Sequence, residues 1–231
     1  MVKKLIPRRR RTWIELVTNE GDSLRLPREH VPASLVTGAT LSENRWQELS
    51  TEARYYKLLD IAVRILGRRE HFFSELKLKL RQRERDRELV TRVLSKLQEL
   101  NYIDEERAAE LVVTQLMAKG GIGRARLKHE LYKRGCPVAL IDKAIEKYAS
   151  ALDDISEARR LLEAKRDQFQ HRLEAIRRRE AKKKLPRHKA AFAERQQLYQ
   201  YVNRLMITRG FSDEDTKRTI RQLVDELVAE V

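Results

Sequence analysis

The chain has 231 residues, of which 37% are charged, and a formal net charge of +15. Its single cysteine, Cys136, excludes an internal disulfide and a thiolate metal cluster, and no apolar run approaches the ~20 residues a membrane span needs. Eight glycines, five prolines and 41% hydrophobic residues suit thin helical modules better than one thick globule.

The positive excess is spread along the chain: +3 over 1–50, +7 over 51–150 and +5 over 151–231. A basic body of this kind implies a polyanionic or acidic partner, nucleic acid or nucleoprotein before a membrane surface. The opening MVKKLIPRRRR lacks the apolar stretch of a secretory signal, so the protein is expected in the cytoplasm.

Residues 1–11 read as a basic arm. Thr12–Val17 and Ser23–Leu26 alternate as strands, with Ile14, Leu16, Leu24 and Leu26 on one face and Asn19–Asp22 as the turn. Pro27–Leu41 is loop or short helix, and Ser42 can cap a helix toward Leu49. Three helices follow: one over 52–66, one behind Ser74 carrying Leu76 and Leu80, and one over 87–100. Asp104 caps the next helix, which ends at Gly120, Gly121 and Gly123. Arg124–Arg134 is a short basic helix stopped by Gly135. Pro137 opens another, striped by Leu140, Ile141, Ala144, Ile145 and Tyr148. One long helix is then expected from Asp153 through Ile176 into the basic tract 177–189, where Pro186 breaks it. A helix over 189–209 stops at Gly210, and Ser212 with Asp215 resembles a capping box for the last helix.

The helices repeat. At an offset of 51 residues Leu76, Leu80, Leu89, Val90, Val93, Leu94 and Leu97 fall on Leu127, Leu131, Leu140, Ile141, Ala144, Ile145 and Tyr148. Upstream, Ile61, Ala62, Ile65 and Leu66 fall on Val112, Val113, Leu116 and Met117. At a further offset of 75, Val202, Met206, Gly210, Ile220 and Leu223 match Leu127, Leu131, Gly135, Ile145 and Tyr148. The domains expected are an arm and β-hairpin extension (1–51), three-helix repeats over 52–101 and 102–150, and a diverged third repeat over 151–231 with a basic insertion at 177–189.

No catalytic constellation is present. The five histidines are scattered, and His129-Glu130 lacks the second histidine of a zinc-protease helix. There is no phosphate loop and no nucleophile elbow. Gly120-Gly121-Ile122-Gly123 has the form of a KH-domain GXXG, but its flanks are helical and favour a turn. A helix-turn-helix reading of 124–148 is weakened by the mixed charges Asp142, Lys143, Glu146 and Lys147 on its second helix. No enzyme activity, cofactor or metal is expected.

Basic positions are the candidates for binding: Arg68, Arg69, Lys77 and Arg83 in the first repeat, and Arg124, Arg126, Lys128, Lys133 and Arg134 in the second. Lys77, Arg83, Arg92 and Lys96 match Lys128, Arg134, Lys143 and Lys147. Arg177, Arg178, Arg179, Lys182, Lys183 and Lys184 of the insertion are candidates for contacts to DNA.

The stretches LLDIAVRILGRREHFFSELKLKL, NYIDEERAAE, GIGRARLKHELYKRGCP and RGFSDEDTKRTI resemble the bacterial regulatory protein RecX family. The resemblance covers about 53–148 well and 198–225 less closely. It departs where the first repeat ends its middle helix in the charged run Arg81–Arg87 instead of at a glycine, and where 151–197 is longer than usual. The resemblance implies an all-α fold of three tandem three-helix repeats in an elongated, curved body, binding to the RecA recombinase filament, and inhibition of strand exchange, ATP hydrolysis and coprotease activity. A monomer that engages the RecA filament, with contacts to single- or double-stranded DNA and none to a membrane, is the resulting expectation. The rival reading is a sequence-tolerant DNA- or RNA-binding helical module.

Overall fold

A computed structural model describes residues 1–8, 12–150, 152–183 and 186–229. The chain divides into two compact units, 1–105 and 106–231.

The first unit opens with an antiparallel sheet in the order β1 (Val2–Arg8), β2 (Trp13–Thr18), β3 (Ser23–Pro27). The expected hairpin is there, with Ile14 opposite Leu26 and Leu16 opposite Leu24. The expected arm is not free: residues 2–8 form a third strand, paired along β2, while Arg9, Arg10 and Arg11 lie outside the described residues. The reason is on both faces of the sheet. Val2, Leu16 and Leu26 are buried against Leu35, Leu49 and Ala53. On the other side Glu15 accepts from Arg8 Nε at 2.8 Å and Arg25 Nε at 3.1 Å. The Arg8 guanidinium, more than Arg25, holds the Glu15 carboxyl below its ordinary pKa.

Helix α1 (Glu43–Leu66) merges the two helices expected from Ser42 and over 52–66, and the Ser42 hydroxyl accepts the Arg45 N–H as its cap. Helices α2 (Phe73–Arg81) and α3 (Arg87–Glu99) complete a cluster around Leu58, Ala62, Leu76, Leu80, Val93 and Leu97. Asp86 caps α3 through the amides of Glu88 and Leu89.

His71, just ahead of α2, is 2% exposed. Its Nδ1 lies 2.8 Å from the Arg69 carbonyl and its Nε2 3.0 Å from Lys79 Nζ. A carbonyl can only accept and an ammonium only donate, so the ring is neutral with its proton on Nδ1. Burial pushes its pKa below the ordinary value of 6.5, against the opposing carboxylate of Glu75. The unfolded chain therefore takes up a proton at a pH where the folded one does not. The stability this site contributes is complete above about pH 6.5 and declines as the pH falls below it. Thermal melts between pH 7 and 5 should fall more steeply for the wild type than for His71→Gln, and parallel slopes would refute the neutral assignment.

The second unit contains α4 (Glu105–Lys119, apart from its first residue), α5 (Arg124–Lys133) and α6 (Val138–Tyr148), then α7 (Asp154–Ala164), α8 (Arg166–Ala181), α9 (Arg187–Thr208) and α10 (Glu214–Ala229). Pro137 is the N-cap of α6 and lies just outside the helix. The single long helix expected from Asp153 is two. Lys165 leaves helical geometry (φ −113°, ψ 10°), and the break lets Ala158 and Leu162 on one side, and Phe169, Leu173 and Ile176 on the other, join one core with α9 and α10. The cap of α10 is Asp213, not Ser212: its carboxylate accepts the Thr216 N–H at 2.7 Å and the Thr216 hydroxyl at 2.6 Å.

Positions matched by the two sequence offsets are buried alike. Leu76, Leu80, Leu127, Leu131, Val202 and Met206 are all fully buried. Gly135 and Gly210 have φ of +83° and +92°, and each is followed by the same helix-ending bond, Cys136 N–H to Leu131 O and Phe211 N–H to Met206 O, both 3.0 Å. The first repeat has no such stop: Arg83 and Glu84 both donate their amides to Leu80 O at 2.9 Å.

Candidate functional site

The glycine turn Gly120–Gly123 lies within the second unit and fits its geometric reading. Gly120 and Gly121 have φ of +64° and +60°. Its amides are taken by the chain itself. Gly121 N–H donates to Glu157 Oε2 at 2.9 Å, Gly123 N–H to Arg209 O at 2.8 Å, and Arg124 N–H to Asp154 Oδ1 at 3.2 Å. Burial raises the Asp154 pKa against the pull of Arg124. A nucleic-acid backbone would have to displace these partners, so the GXXG pattern here closes a turn and clamps no ligand.

The same device appears in the first unit. The amide of Phe73, first residue of α2, donates to Glu105 Oε1 at 3.1 Å. Glu105 is the first residue of α4, Asp154 the first of α7, and Phe73 and Arg124 the first of α2 and α5. In both places a carboxylate at the start of a later helix caps the middle helix before it, where the macrodipole favours negative charge.

The candidate basic residues then fall into two groups. Several are tied into the fold. Arg69 pairs with Glu75. Arg124 Nη2 donates to Leu152 O at 2.9 Å. Arg126 bridges to Glu130 at 2.5 Å and Lys128 to Asp142 at 2.7 Å. Arg177 pairs with Glu194 at 3.1 Å and donates to Val228 O at 3.1 Å, joining α8 to α9 and to the end of α10. Lys77 sets its ammonium 6.0 Å from the centre of the Phe73 ring.

Others face solvent. Arg68, Arg83, Lys133 and Lys182 are exposed, and Arg134 is half-buried. Arg178 pairs with Glu174 at 3.2 Å but remains 77% exposed. Lys183 donates to Glu180 at 2.7 Å, and Arg179 lies 3.8 Å from the same carboxylate. Glu180 is buried, is held also by Gln197 at 3.0 Å, and has its pKa lowered chiefly by Lys183. The insertion is thus anchored by an acid that neutralises part of its charge. Lys184 lies outside the described residues. Sequence reasoning missed this split because a guanidinium that holds a neighbouring helix and one that faces water look alike until the acids and carbonyls across the fold are placed.

Among the described residues no group of three or more His, Cys, Asp or Glu is placed to hold a metal, and no helix is long and apolar enough to cross a membrane.

No family model matches the chain. Individual proteins do. The regulatory protein RecX of Chlorobium phaeobacteroides is 32% identical over 95 residues, 41% of this chain and 63% of that protein. That of Prosthecochloris aestuarii is 27% identical over 172 residues, 74% of this chain and 94% of that protein. The match to the Chlorobium protein thus spans about three fifths of that protein's length. A crystal structure of a regulatory protein RecX superimposes with a TM-score of 0.56 at 16% identity, covering 97% of this chain and 98% of the other, which concerns the fold alone. With the mostly helical architecture and the small antiparallel sheet, these likenesses support the RecX family of regulatory proteins as the one this chain resembles.

Proposed function

We propose that this protein is a non-enzymatic regulator of the RecA recombinase that binds the RecA filament and restrains its ATP hydrolysis, strand exchange and coprotease activities. The observation that carries the reading is the repetition of basic positions within repeated helices. Lys77 and Lys128, and Arg83 and Arg134, occupy equal places relative to fully buried leucines on α2 and α5. A helical filament offers equal sites at regular intervals, and linked weak contacts to such sites gain avidity through effective concentration. The RecA partner itself follows from the family resemblance.

The test reverses charge at Lys128 and Arg134 together, and separately at Lys182 and Lys183. Lys128 and Asp142 are 53% and 77% exposed, so breaking that pair costs little stability. RecA ATPase inhibition should weaken about tenfold or more in the first variant and little in the second, since reversal sets like charges against each other across the interface, at a cost of several kcal/mol. A wild-type protein that leaves RecA ATPase unchanged would refute the function. Inhibition lost in the lysine variant and kept in the α5 variant would refute the surface.

A further inference from the structure

The charged run Arg81–Arg87, which sets this chain apart from the family pattern, has an order that the sequence conceals. Residues 81–88 read RQRERDRE. The two acids inside the run turn inward. Glu84 accepts from Arg54 Nη2 at 2.6 Å, and Asp86 lies 3.5 Å from the same guanidinium while it caps α3 through the amides of Glu88 and Leu89 at 3.1 Å. Glu84 also accepts the Asp86 N–H at 3.1 Å, which fixes the loop on itself. Arg81, Arg83, Arg85 and Arg87 are all exposed, and none has an acidic partner among the described residues. Arg54 therefore acts as an internal counter-ion. It neutralises the acids that would otherwise neutralise the arginines.

We propose that Arg81, Arg83, Arg85 and Arg87 form a binding strip for the phosphate backbone of nucleic acid, with Arg54 as its positioning residue. Arginine presents a planar fork that matches phosphate oxygens two at a time. Nothing apolar stands among residues 81–88, whereas a protein partner's interface needs an apolar, charge-depleted centre. Nor does the strip hold an aromatic ring on which a base could stack. The contact is thus to the backbone and indifferent to sequence. It is separable from the RecA reading, because it requires no RecA and shares only Arg83 with the matched basic positions.

The experiment follows binding of a fluorescein-labelled 30-nucleotide oligothymidylate to the full chain by anisotropy between 50 and 200 mM salt, without RecA. Each neutralised phosphate contributes about 0.7 to the slope of log affinity against log salt on a single strand. Changing all four arginines to Gln should flatten that slope by about 3 and weaken binding about tenfold or more at the lowest salt. Should that variant misfold, Arg83→Gln with Arg85→Gln should flatten it by about half as much. Arg54→Met leaves every strip arginine in place yet should weaken binding several-fold, and Arg54→Lys should restore it. Wild-type slope and affinity in the arginine variants would overturn the strip. Wild-type affinity in Arg54→Met would overturn the positioning role. Displacement of the oligonucleotide by an equal charge of polyglutamate would make the partner an acidic protein and overturn the assignment to nucleic acid.

Discussion

Gly210→Ala is expected to destabilise the second unit by about 3–5 kcal/mol, while Gly38→Ala costs the first unit about 1–2 kcal/mol. The two glycines have nearly the same backbone, φ +92° and +91°, so the strain of a left-handed alanine is common to both. Their surroundings differ. A Cβ at Gly38 would meet nothing within 4 Å, whereas one at Gly210 would lie 2.4 Å from the backbone N of Arg126 and 2.6 Å from its Cβ. The obstacle is the first turn of α5, whose backbone is held by Gly123 O through the Arg126 N–H at 3.0 Å. It cannot give way as the end of a flexible side chain would. The approach is mutual, since a Cβ at Gly123 would lie 2.5 Å from Gly210 O. Denaturant unfolding, read separately for each unit by hydrogen exchange, measures both losses. Equal losses would mean that the two turns are not in backbone contact.

The second large effect concerns matched core positions. Leu76 and Leu127 are both fully buried at equal places in α2 and α5. Truncating a buried leucine to alanine costs about 2–5 kcal/mol, a large part of a typical domain's 5–15 kcal/mol. Leu76 belongs to unit 1 and Leu127 to unit 2. Leu76→Ala should therefore raise amide exchange in α1, α2 and α3 and leave α9 and α10 protected, and Leu127→Ala should do the reverse. A uniform loss of protection in either variant would show that the chain unfolds as one body.

Both predictions start from patterns legible in the sequence. The buried leucines and the glycine stops at 135 and 210 stand out because helical periodicity and a left-handed stop each leave a local signature. What escaped lay in pairings between distant residues. Strand β1 reads as a basic arm because Lys3, Lys4 and Arg8 dominate it; its pairing depends on β2 and on the Glu15 carboxylate across the sheet. The break at Lys165 carries no glycine or proline, and only the shared core on either side accounts for it. Arg124 and Arg177 look like a binding surface, yet they hold Leu152 and Val228 carbonyls. The inward turn of Glu84 and Asp86 depends on Arg54, some 30 residues earlier.

The carboxylate cap on α2 and the backbone bond that closes the Gly123 turn also set an order of events at the ribosome. The amide of Phe73 waits for Glu105, 32 residues later, whereas the Gly123 amide waits for the carbonyl of Arg209. At a synthesis rate of about 5–20 residues per second those delays are roughly 2–6 s and 4–17 s. The nascent chain can close the α2 cap and complete the N-terminal unit while the Gly123 amide, still without Arg209, exchanges with water.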